Sequence, residues 1–242
     1  GLRNRKLGPD PASESACTIG GVVANNSSGM ACGTELNTYN TLESLTFVLP
    51  TGTVINTADA DADRQFQEQE PELVDTLIRL QRRVRDNQES VDIIRRHLQL
   101  KNTMGYGLNS FLDFDSPVKL FEHLLIGSEG TLAFIAEAVF RTVPISKLTT
   151  TTVAVFDDLT AATKSLPALL DTGAATLELM DSTSIRVGQG FDKVPQAITG
   201  FDVDKQAALL IEYHADAEEE LREKEGKGSQ LLRELPLQSP AA

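Results

Sequence analysis

Three glycine-rich segments constrain this chain more than any other feature of its sequence. The first runs from GPDPAS at 8–13 through TIGGVVANNSSG at 18–29, the second is KNTMGYG at 101–107, and the third is IGSEGTL at 126–132. Such residues bury little apolar surface and therefore do not build a core. Glycine lets a backbone approach another group closely, and the successive amides of such a loop can cradle an anion.

The first of these segments predicts a loop that holds a diphosphate group. Gly20 and Gly21 would let the backbone approach the ligand, and Thr18 and Asn25 add neutral donors nearby. No lysine follows in the P-loop pattern, and G-x-G-x-x-G is absent, so a nucleoside triphosphatase and the usual dinucleotide fingerprint are disfavoured. Because glycine-rich loops are often simple turns, a purely structural role stays open.

Composition narrows the classes of partner. The chain has 242 residues and a net charge of −13, which disfavours nucleic acids and anionic membrane surfaces. It has no apolar run of transmembrane length and no apolar signal-peptide core at its start. Cys17 and Cys32 match no zinc-binding spacing. The sequence therefore predicts a cytoplasmic protein with no transmembrane segment and no metal site.

Hydrophobic periodicity predicts an α+β fold. Residues 42–57 read as a β-hairpin around a Thr-Gly corner, and 58–70 as a polar, solvated connection. Residues 71–100 read as one or two amphipathic helices with a break near Asn87. A short helix is predicted over 117–125, followed by an apolar strand that ends at Pro144.

A shift in composition at ISKLTTTT predicts a domain boundary, with domains at 1–147 and 148–242. In the second domain we expect strands over 149–156, 174–180 and 207–213 and helices over 158–171 and 216–235. The order β-α-β-β-α is most of a ferredoxin-like unit, without its last strand. Because that strand is missing and the chain starts without Met, we expect the chain to be a fragment.

The combination GPDPASESACTIGGVVANNSSGM, NTMGYGL and LLIGSEGTLAFI strongly resembles FAD-linked oxidases of the vanillyl-alcohol oxidase (PCMH-type) superfamily, over about residues 5–145. The branch it resembles is that of D-lactate and D-2-hydroxyglutarate dehydrogenases. The resemblance implies the second subdomain of a PCMH-type FAD-binding domain, followed by part of a ferredoxin-like cap domain. It also implies noncovalent FAD, because no histidine matches a covalent attachment site.

The resemblance assigns cofactor contacts to residues in all three segments. The first segment would line the diphosphate and flavin, the second and third would contact the cofactor, and an apolar side chain on the following strand would pack beside it. These residues are Pro9, Asp10, Ser13, Thr18, Ile19, Gly20, Gly21, Asn25 and Gly29, then Asn102, Thr103 and Tyr106, then Gly127, Glu129, Gly130, Thr131 and Ile135.

The implied activity of the parent protein is oxidation of a small-molecule D-2-hydroxy acid by hydride transfer to FAD. An iron–sulfur domain or a quinone would accept the electrons, and membrane association would arise through such partners. The family's first FAD loop and its catalytic cap residues find no match here, so we expect the isolated chain to bind FAD weakly and to be inactive. Another flavin-dependent alcohol or sugar oxidase, or a noncatalytic interaction domain, are the alternatives.

Overall fold

The computed structural model describes residues 3–103, 105–192, 194 and 196–238; Met104 of the second glycine-rich segment lies outside them. The chain divides between Pro144 and Ile145 into two compact units. Both units combine helices with antiparallel sheet, so the predicted α+β class is confirmed.

The first unit alternates short strands and helices around one core. Its elements are β1 (Arg5–Lys6), α1 (Ile19–Asn25), α2 (Thr38–Thr41), β2 (Leu42–Val48), β3 (Val54–Asn56), α3 (Ala62–Gln69), α4 (Pro71–Arg85), α5 (Gln88–Leu98), α6 (Ser110–Asp113), α7 (Pro117–Leu124), β4 (Phe134–Phe140) and β5 (Val143–Pro144).

The larger sheet of the first unit has the order β3-β2-β4 and is antiparallel throughout, and β1 and β5 form a separate two-stranded antiparallel sheet. The predicted hairpin is confirmed as β2 and β3, with Gly52 at φ +90° in the connecting turn. Strand β4 pairs with the other edge of β2, where Ile135 lies opposite Phe47. This register carries the chain directly from the third glycine-rich segment into the sheet.

The prediction of a solvated connection over 58–70 is wrong for most of that stretch, because Ala62–Gln69 forms helix α3. Most residues of α3 are polar, but Ala62 and Phe66 are buried. These residues lie four apart and therefore share one face of a helix. A single phenylalanine on that face is enough to attach the helix to the core.

The predicted break near Asn87 is confirmed. Helix α4 begins at Pro71, and the side chain of Asn87 caps α5 by accepting a hydrogen bond from the Ser90 amide at 2.9 Å. Arg85 donates to the carbonyl of Phe111 at 2.8 Å and to that of Phe114 at 3.0 Å. The helical hairpin is thus anchored to the chain that follows the second glycine-rich segment.

The core of the first unit is centred on three phenylalanines from three elements. The rings of Phe47, Phe66 and Phe121 have centroids 5.1–5.9 Å apart, in tilted and edge-on arrangements. All three side chains are buried. Aromatic pairs of this geometry add to the stabilisation that burial itself provides. They fix helix α7 against the sheet, immediately before the third glycine-rich segment begins.

Helix α7 also carries a buried carboxylate, Glu122. The Thr57 hydroxyl donates to it, Lys119 Nζ lies 3.1 Å from both of its oxygens, and His123 Nδ1 lies 3.2 Å away. Burial by itself raises the pKa of Glu122, but the hydrogen bonds from His123 and Thr57 and the charge of Lys119 outweigh it. The pKa therefore lies below its usual value.

The second unit has a three-stranded antiparallel sheet of order β6-β8-β7. Its elements are β6 (Leu148–Phe156), α8 (Leu159–Asp171), β7 (Thr176–Met180), α9 (Ser182–Gly188), α10 (Gln196–Thr199), β8 (Ala207–Ala215) and α11 (Glu218–Glu234).

The predicted strands and helices of this unit are all present, and their pairing is that of the first three strands of a ferredoxin-like unit. Phe156, Leu209 and Ile211 belong to the same buried cluster as Leu169 of α8 and Leu232 of α11. Beyond α11, Leu237 makes an antiparallel bridge with Phe156. This bridge lies at the edge of β6, where a ferredoxin-like unit places its fourth strand.

Helices α9 and α10 were not predicted. Ile185 and Ile198 pack with Val153, Val155 and Ala208, in a cluster separate from the one formed with α8 and α11. Each of these short helices contributes one buried isoleucine to the cluster. One apolar residue per element gives no periodic signal that a sequence could show.

We predict that Glu122→Gln lowers the stability of the first unit at neutral pH by about 3 kcal/mol, because Lys119 and His123 lose a buried carboxylate. In the parent chain, the stability contributed by the lowered pKa is complete above the pKa of an unfolded glutamate, about 4.3, and is lost as the pH falls through the folded value. The variant should therefore lose less stability on acidification. Urea unfolding at several pH values measures both effects.

The control is Glu220→Gln, which removes an exposed carboxylate that pairs with Lys224. We expect it to change stability very little. Parallel acid dependence in the parent and in Glu122→Gln would show that Glu122 does not hold a lowered pKa.

Candidate functional site

The first and third glycine-rich segments are joined by main-chain hydrogen bonds at the end of α1. The Gly127 amide donates to the Val23 carbonyl at 3.1 Å, and the Glu129 amide donates to the Ala24 carbonyl at 2.8 Å. Carbonyls in the last turn of a helix have no partner within the helix. The third segment supplies a donor for the Ala24 carbonyl and a second donor for the Val23 carbonyl, which also accepts from the Asn26 amide at 3.0 Å. The two segments are thereby held in one fixed arrangement.

Side chains reinforce this junction. Asn25 Nδ2 donates to Glu129 Oε1 at 2.7 Å, and the Ser27 hydroxyl donates to Asn25 Oδ1 at 2.8 Å. Glu129 has φ +52°, a left-handed conformation that is uncommon for residues other than glycine, asparagine and aspartate. Such conformations cluster at functional sites, where the surrounding structure maintains them.

The second segment contacts both of the others. Asn26 Nδ2 donates to the Asn102 carbonyl at 2.9 Å, and Lys101 Nζ donates to the Gly29 carbonyl at 2.7 Å. On the other side, the Tyr106 hydroxyl lies 2.7 Å from Thr131 Oγ1. The fold therefore brings together three segments that are spread over residues 18–131 of the sequence. We call them together the three-segment site, residues 18–29, 101–103, 105–106 and 127–131.

The prediction that residues 18–29 form an open loop is wrong, because Ile19–Asn25 is helix α1. Thr18 caps it by accepting a hydrogen bond from the Gly21 amide at 3.1 Å. A Cβ at Gly20 would lie 3.2 Å from the Ile135 carbonyl oxygen, a tight contact. The glycine at position 20 thus allows α1 to lie close to β4, whereas the sequence had suggested close approach to a ligand.

Gly127 is where the second and third segments touch most closely. Its φ is +82°, and a Cβ there would overlap the carbonyl oxygen of Gly105. Gly130 also has a positive φ of +71°, but no atom lies within 4 Å of the position of its Cβ. Glycine is therefore required at 127 by the positive φ and by the close approach of Gly105, whereas at 130 it is required by the positive φ alone.

The remaining predicted residues surround these contacts. Pro9 is buried, and a Cβ at Gly29 would overlap both the carbonyl oxygen and the carboxylate of Asp10. Ser13 shapes the turn before α1, since its carbonyl accepts from the Ala16 and Cys17 amides. Ile19 is 46 % exposed at the start of α1. Thr103 is half-buried beside Asn102, and Ile135 is half-buried on β4.

Three buried polar atoms in or beside the site have no hydrogen-bond partner within the described chain: Asp10 Oδ1, Asn26 Oδ1 and Ser128 Oγ. Nearly all buried polar atoms in folded proteins are hydrogen-bonded. Two of the three are acceptors and the third is a hydroxyl. Their chemistry is compatible with a ligand that carries hydroxyl or imino donors, although, among the described residues, Thr38, Ser110 and Thr176 also have unpartnered buried hydroxyls outside the site.

A polar cavity of about 270 Å³ borders the second segment. Its wall includes Asn26, Asn102, Tyr106 and the Tyr39–Asp113 pair, in which the Tyr39 hydroxyl donates to Asp113 Oδ2 at 2.8 Å. Burial raises the pKa of Tyr39, and the hydrogen bond and negative charge of Asp113 raise it further. Tyr39 therefore remains protonated and holds Asp113 in place.

In the second unit, a polar pair lies on β8. His214 Nε2 is 3.4 Å from Glu212 Oε2, and Thr151 Oγ1 on the adjacent β6 donates to Glu212 Oε1 at 3.3 Å. The side chains of His214 and Glu212 are 25 % and 21 % exposed. This pair stands apart from the three-segment site in sequence and belongs to the other unit.

Sequence comparison identifies the family to which the chain belongs. The model of an FAD binding domain matches residues 2–58, and the model of the C-terminal domain of FAD linked oxidases matches residues 145–241. The chain belongs to the FAD-linked oxidases. The resemblance inferred from the three glycine-rich segments is thereby confirmed, and FAD is the cofactor that the matched domains indicate.

Two relatives cover most of the chain at low identity. The glycolate oxidase subunit GlcD of Bacillus subtilis is 25% identical over 206 residues, which are 84% of this chain and 32% of that protein. The D-2-hydroxyglutarate dehydrogenase of Pantoea ananatis is 25% identical over 218 residues, 86% of this chain and 21% of that protein. The chain therefore spans about a third or less of the length of these relatives.

A solved structure of alkyldihydroxyacetonephosphate synthase resembles the fold. It matches 98% of this chain and 35% of its own, with a TM-score of 0.57 and 15% sequence identity. The likeness agrees with the predicted PCMH-type FAD-binding subdomain and cap. Among the described residues, no helix is both long and apolar enough to cross a membrane.

Sequence reasoning assigned no contact to Lys101 or Ser128, although both lie within the glycine-rich segments, and it did not predict that Asn26 ends a helix. Asn26 ends α1 with φ +50°, the left-handed conformation typical of a residue that follows a helix. An Asn after a short apolar stretch was the available signal, but it depended on reading 19–25 as a helix. Lys101 and Ser128 gave no signal, because their role comes from contacts between distant segments.

We predict that Gly127→Ala destabilises the first unit by about 3 kcal/mol, because it combines an unfavourable φ with overlap against a backbone carbonyl. Gly130→Ala is the matched control. It has the same sign of φ and open space, so we expect a loss of only about 1 kcal/mol. Urea unfolding of both variants measures the difference. Equal losses would mean that the second and third segments do not pack against each other as described.

Proposed function

We propose that the gene product containing this chain is an FAD-dependent oxidoreductase that oxidises a small 2-hydroxy acid. The observation that carries the proposal is the convergence of three glycine-rich segments into one site within a chain of this family. The residues that we assign to FAD binding are those predicted from the sequence, with the addition of Asn26 and Ser128.

The residues present suit FAD chemically. The unpartnered oxygens of Asp10 and Asn26 and the hydroxyl of Ser128 are matched by the ribityl and ribose hydroxyls and the flavin imino group. The rest of the site offers neutral amide and hydroxyl groups. Neutral donors and backbone amides can hold a diphosphate without a dedicated lysine.

FAD supplies a flavin ring able to accept a hydride, and the protein supplies position and electrostatics. In this chain Thr18 and Asn26 fix the two ends of α1, and the Asn25–Glu129 hydrogen bond fixes the third segment. The hydrogen bond between the Tyr106 and Thr131 hydroxyls likewise joins the second and third segments. These groups determine which surface the three-segment site presents, and they keep it in place before any ligand binds.

The substrate class is proposed from the relatives. The names of both contain a 2-hydroxy acid, glycolate in one and D-2-hydroxyglutarate in the other. A D-2-hydroxy acid, D-lactate or D-2-hydroxyglutarate, remains the proposed substrate. Noncovalent attachment of FAD, its weak binding by the isolated chain, and an iron–sulfur or quinone acceptor stay predictions from the sequence.

The cofactor assignment predicts that Glu129→Gly lowers the flavin content of the complete gene product at least several-fold. The change removes the carboxylate that holds Asn25 but eases the left-handed backbone, so stability should stay within about 1 kcal/mol of the parent. The measurement is flavin absorbance per protein after purification, together with urea unfolding. Loss of flavin without loss of stability separates a binding role from a structural one.

The matched control is Asn4→Gly, because Asn4 has the same φ of +52° and is exposed outside the site. We expect normal flavin content in this variant. Full flavin content in Glu129→Gly would contradict the assignment of the third segment to the cofactor.

A panel of substrates tests the proposed chemistry in the complete gene product. With a dye as electron acceptor, we expect turnover of D-2-hydroxyglutarate or D-lactate, and much slower turnover of the L enantiomers. In glycolate the hydroxyl-bearing carbon carries no carbon substituent besides the carboxylate, so turnover of glycolate shows whether oxidation needs such a substituent. Turnover of simple alcohols or sugars in place of these acids would identify a different flavin-dependent oxidase on the same fold.

A further inference from the structure

The end of α5 and the loop after it form an exposed surface whose chemistry differs from the rest of the chain. Residues 93–108 carry the cations Arg95, Arg96 and Lys101 and contain no Asp or Glu, although the whole chain has a net charge of −13. Ile93, Leu100 and Leu108 in the same stretch are 44 %, 68 % and 44 % exposed. We call residues 93–108 the α5 patch.

An apolar groove of about 340 Å³ runs through the α5 patch. Its walls include Ile93, Leu98 and Leu108, together with His97 and Tyr106. Single exposed apolar residues are ordinary, but exposed apolar residues around a groove mark interaction surfaces. The groove also shares Asn102 and Tyr106 with the three-segment site, so the two surfaces are continuous.

The two arginines of the patch are exposed and available for a partner, whereas Lys101 donates to the Gly29 carbonyl within the three-segment site. Many other cations of the described chain pair with carboxylates, among them Arg64, Arg85 and Arg222, whereas Arg95 and Arg96 form no ion pair there. Two acidic side chains lie near the patch, and both already accept hydrogen bonds. Asp92, which precedes the patch in sequence, accepts from Gln88, and Asp113, which lines an adjoining cavity, accepts from Tyr39.

The helix dipole explains part of this pattern. Cations in the last turn of a helix are stabilised by the partial negative charge there, and Arg95, Arg96 and His97 occupy the last turn of α5. The dipole does not account for Lys101, which lies beyond the helix, or for the exposed Leu100 and Leu108. A surface that combines an apolar groove with unpaired arginines suits an interface, where arginine and apolar anchors are enriched.

We propose that the α5 patch is a docking surface for an acidic protein partner. Carboxylates of the partner lie against Arg95 and Arg96, and an apolar side chain of the partner enters the groove beside Ile93. The charge complementarity identifies this partner, because opposite potentials steer association and set specificity. Ile93, Arg95 and Arg96 lie outside the three-segment site, so the docking proposal and the cofactor assignment are tested on different residues.

The test uses a short fluorescein-labelled peptide of Glu and Leu in helical spacing, measured by fluorescence anisotropy with the complete gene product. We expect binding that weakens with added salt, and no binding of the Lys and Leu counterpart. Arg95→Gln with Arg96→Gln should weaken binding about tenfold, which corresponds to about 1.4 kcal/mol. Ile93→Ser should weaken it also, through the groove.

The control is Arg222→Gln with Lys227→Gln, which removes two exposed cations from α11 and should leave binding unchanged. Flavin content and urea unfolding of each preparation show that the site and the fold are intact. Absence of peptide binding, or equal binding by the patch variant, overturns the proposal. So does binding of phosphatidylglycerol vesicles or of a second copy of the chain through these arginines when the peptide does not bind.

Discussion

Two main-chain hydrogen bonds, from the Gly127 and Glu129 amides to carbonyls in the last turn of α1, organise the first unit. They supply donors to two carbonyls at the end of the helix, where the Val23 carbonyl also accepts from the Asn26 amide, and they use backbone atoms that any sequence supplies. The sequence matters because the junction requires left-handed backbone conformations. The φ angle is +82° at Gly127 and +50° at Asn26, which ends α1. The side-chain contacts of Asn25, Asn26 and Tyr106 depend on this junction.

The helical hairpin of α4 and α5 is part of the same arrangement. Arg85 holds the carbonyls of the chain after the second glycine-rich segment, and the end of α5 leads directly into Lys101 and Asn102. The hairpin thus fixes both ends of that segment. Its outer end also carries the α5 patch. The hairpin therefore supports the three-segment site and carries a surface whose charge is opposite to the net charge of the chain.

Most regular elements could be predicted from the sequence, because each has enough periodic apolar residues to show its face. The hairpin β2–β3, the break at Asn87 and the helix capped by Asp158 are such cases. Helices α1 and α3 could not, because two glycines interrupt the short apolar pattern of α1, polar residues fill most positions of α3, and only two side chains are buried in each. The site was predicted as a set of segments, but the contacts between them follow from long-range packing that local pattern does not encode.

The central claim is that residues 18–29, 101–103, 105–106 and 127–131 form a single cofactor-binding surface. Hydrogen exchange of the complete gene product, followed by mass spectrometry with and without FAD, tests it most directly. We predict slower exchange in all three segments together on FAD binding, with little change in α3 or α11. Protection of only one segment, or protection confined to regions outside them, would contradict it.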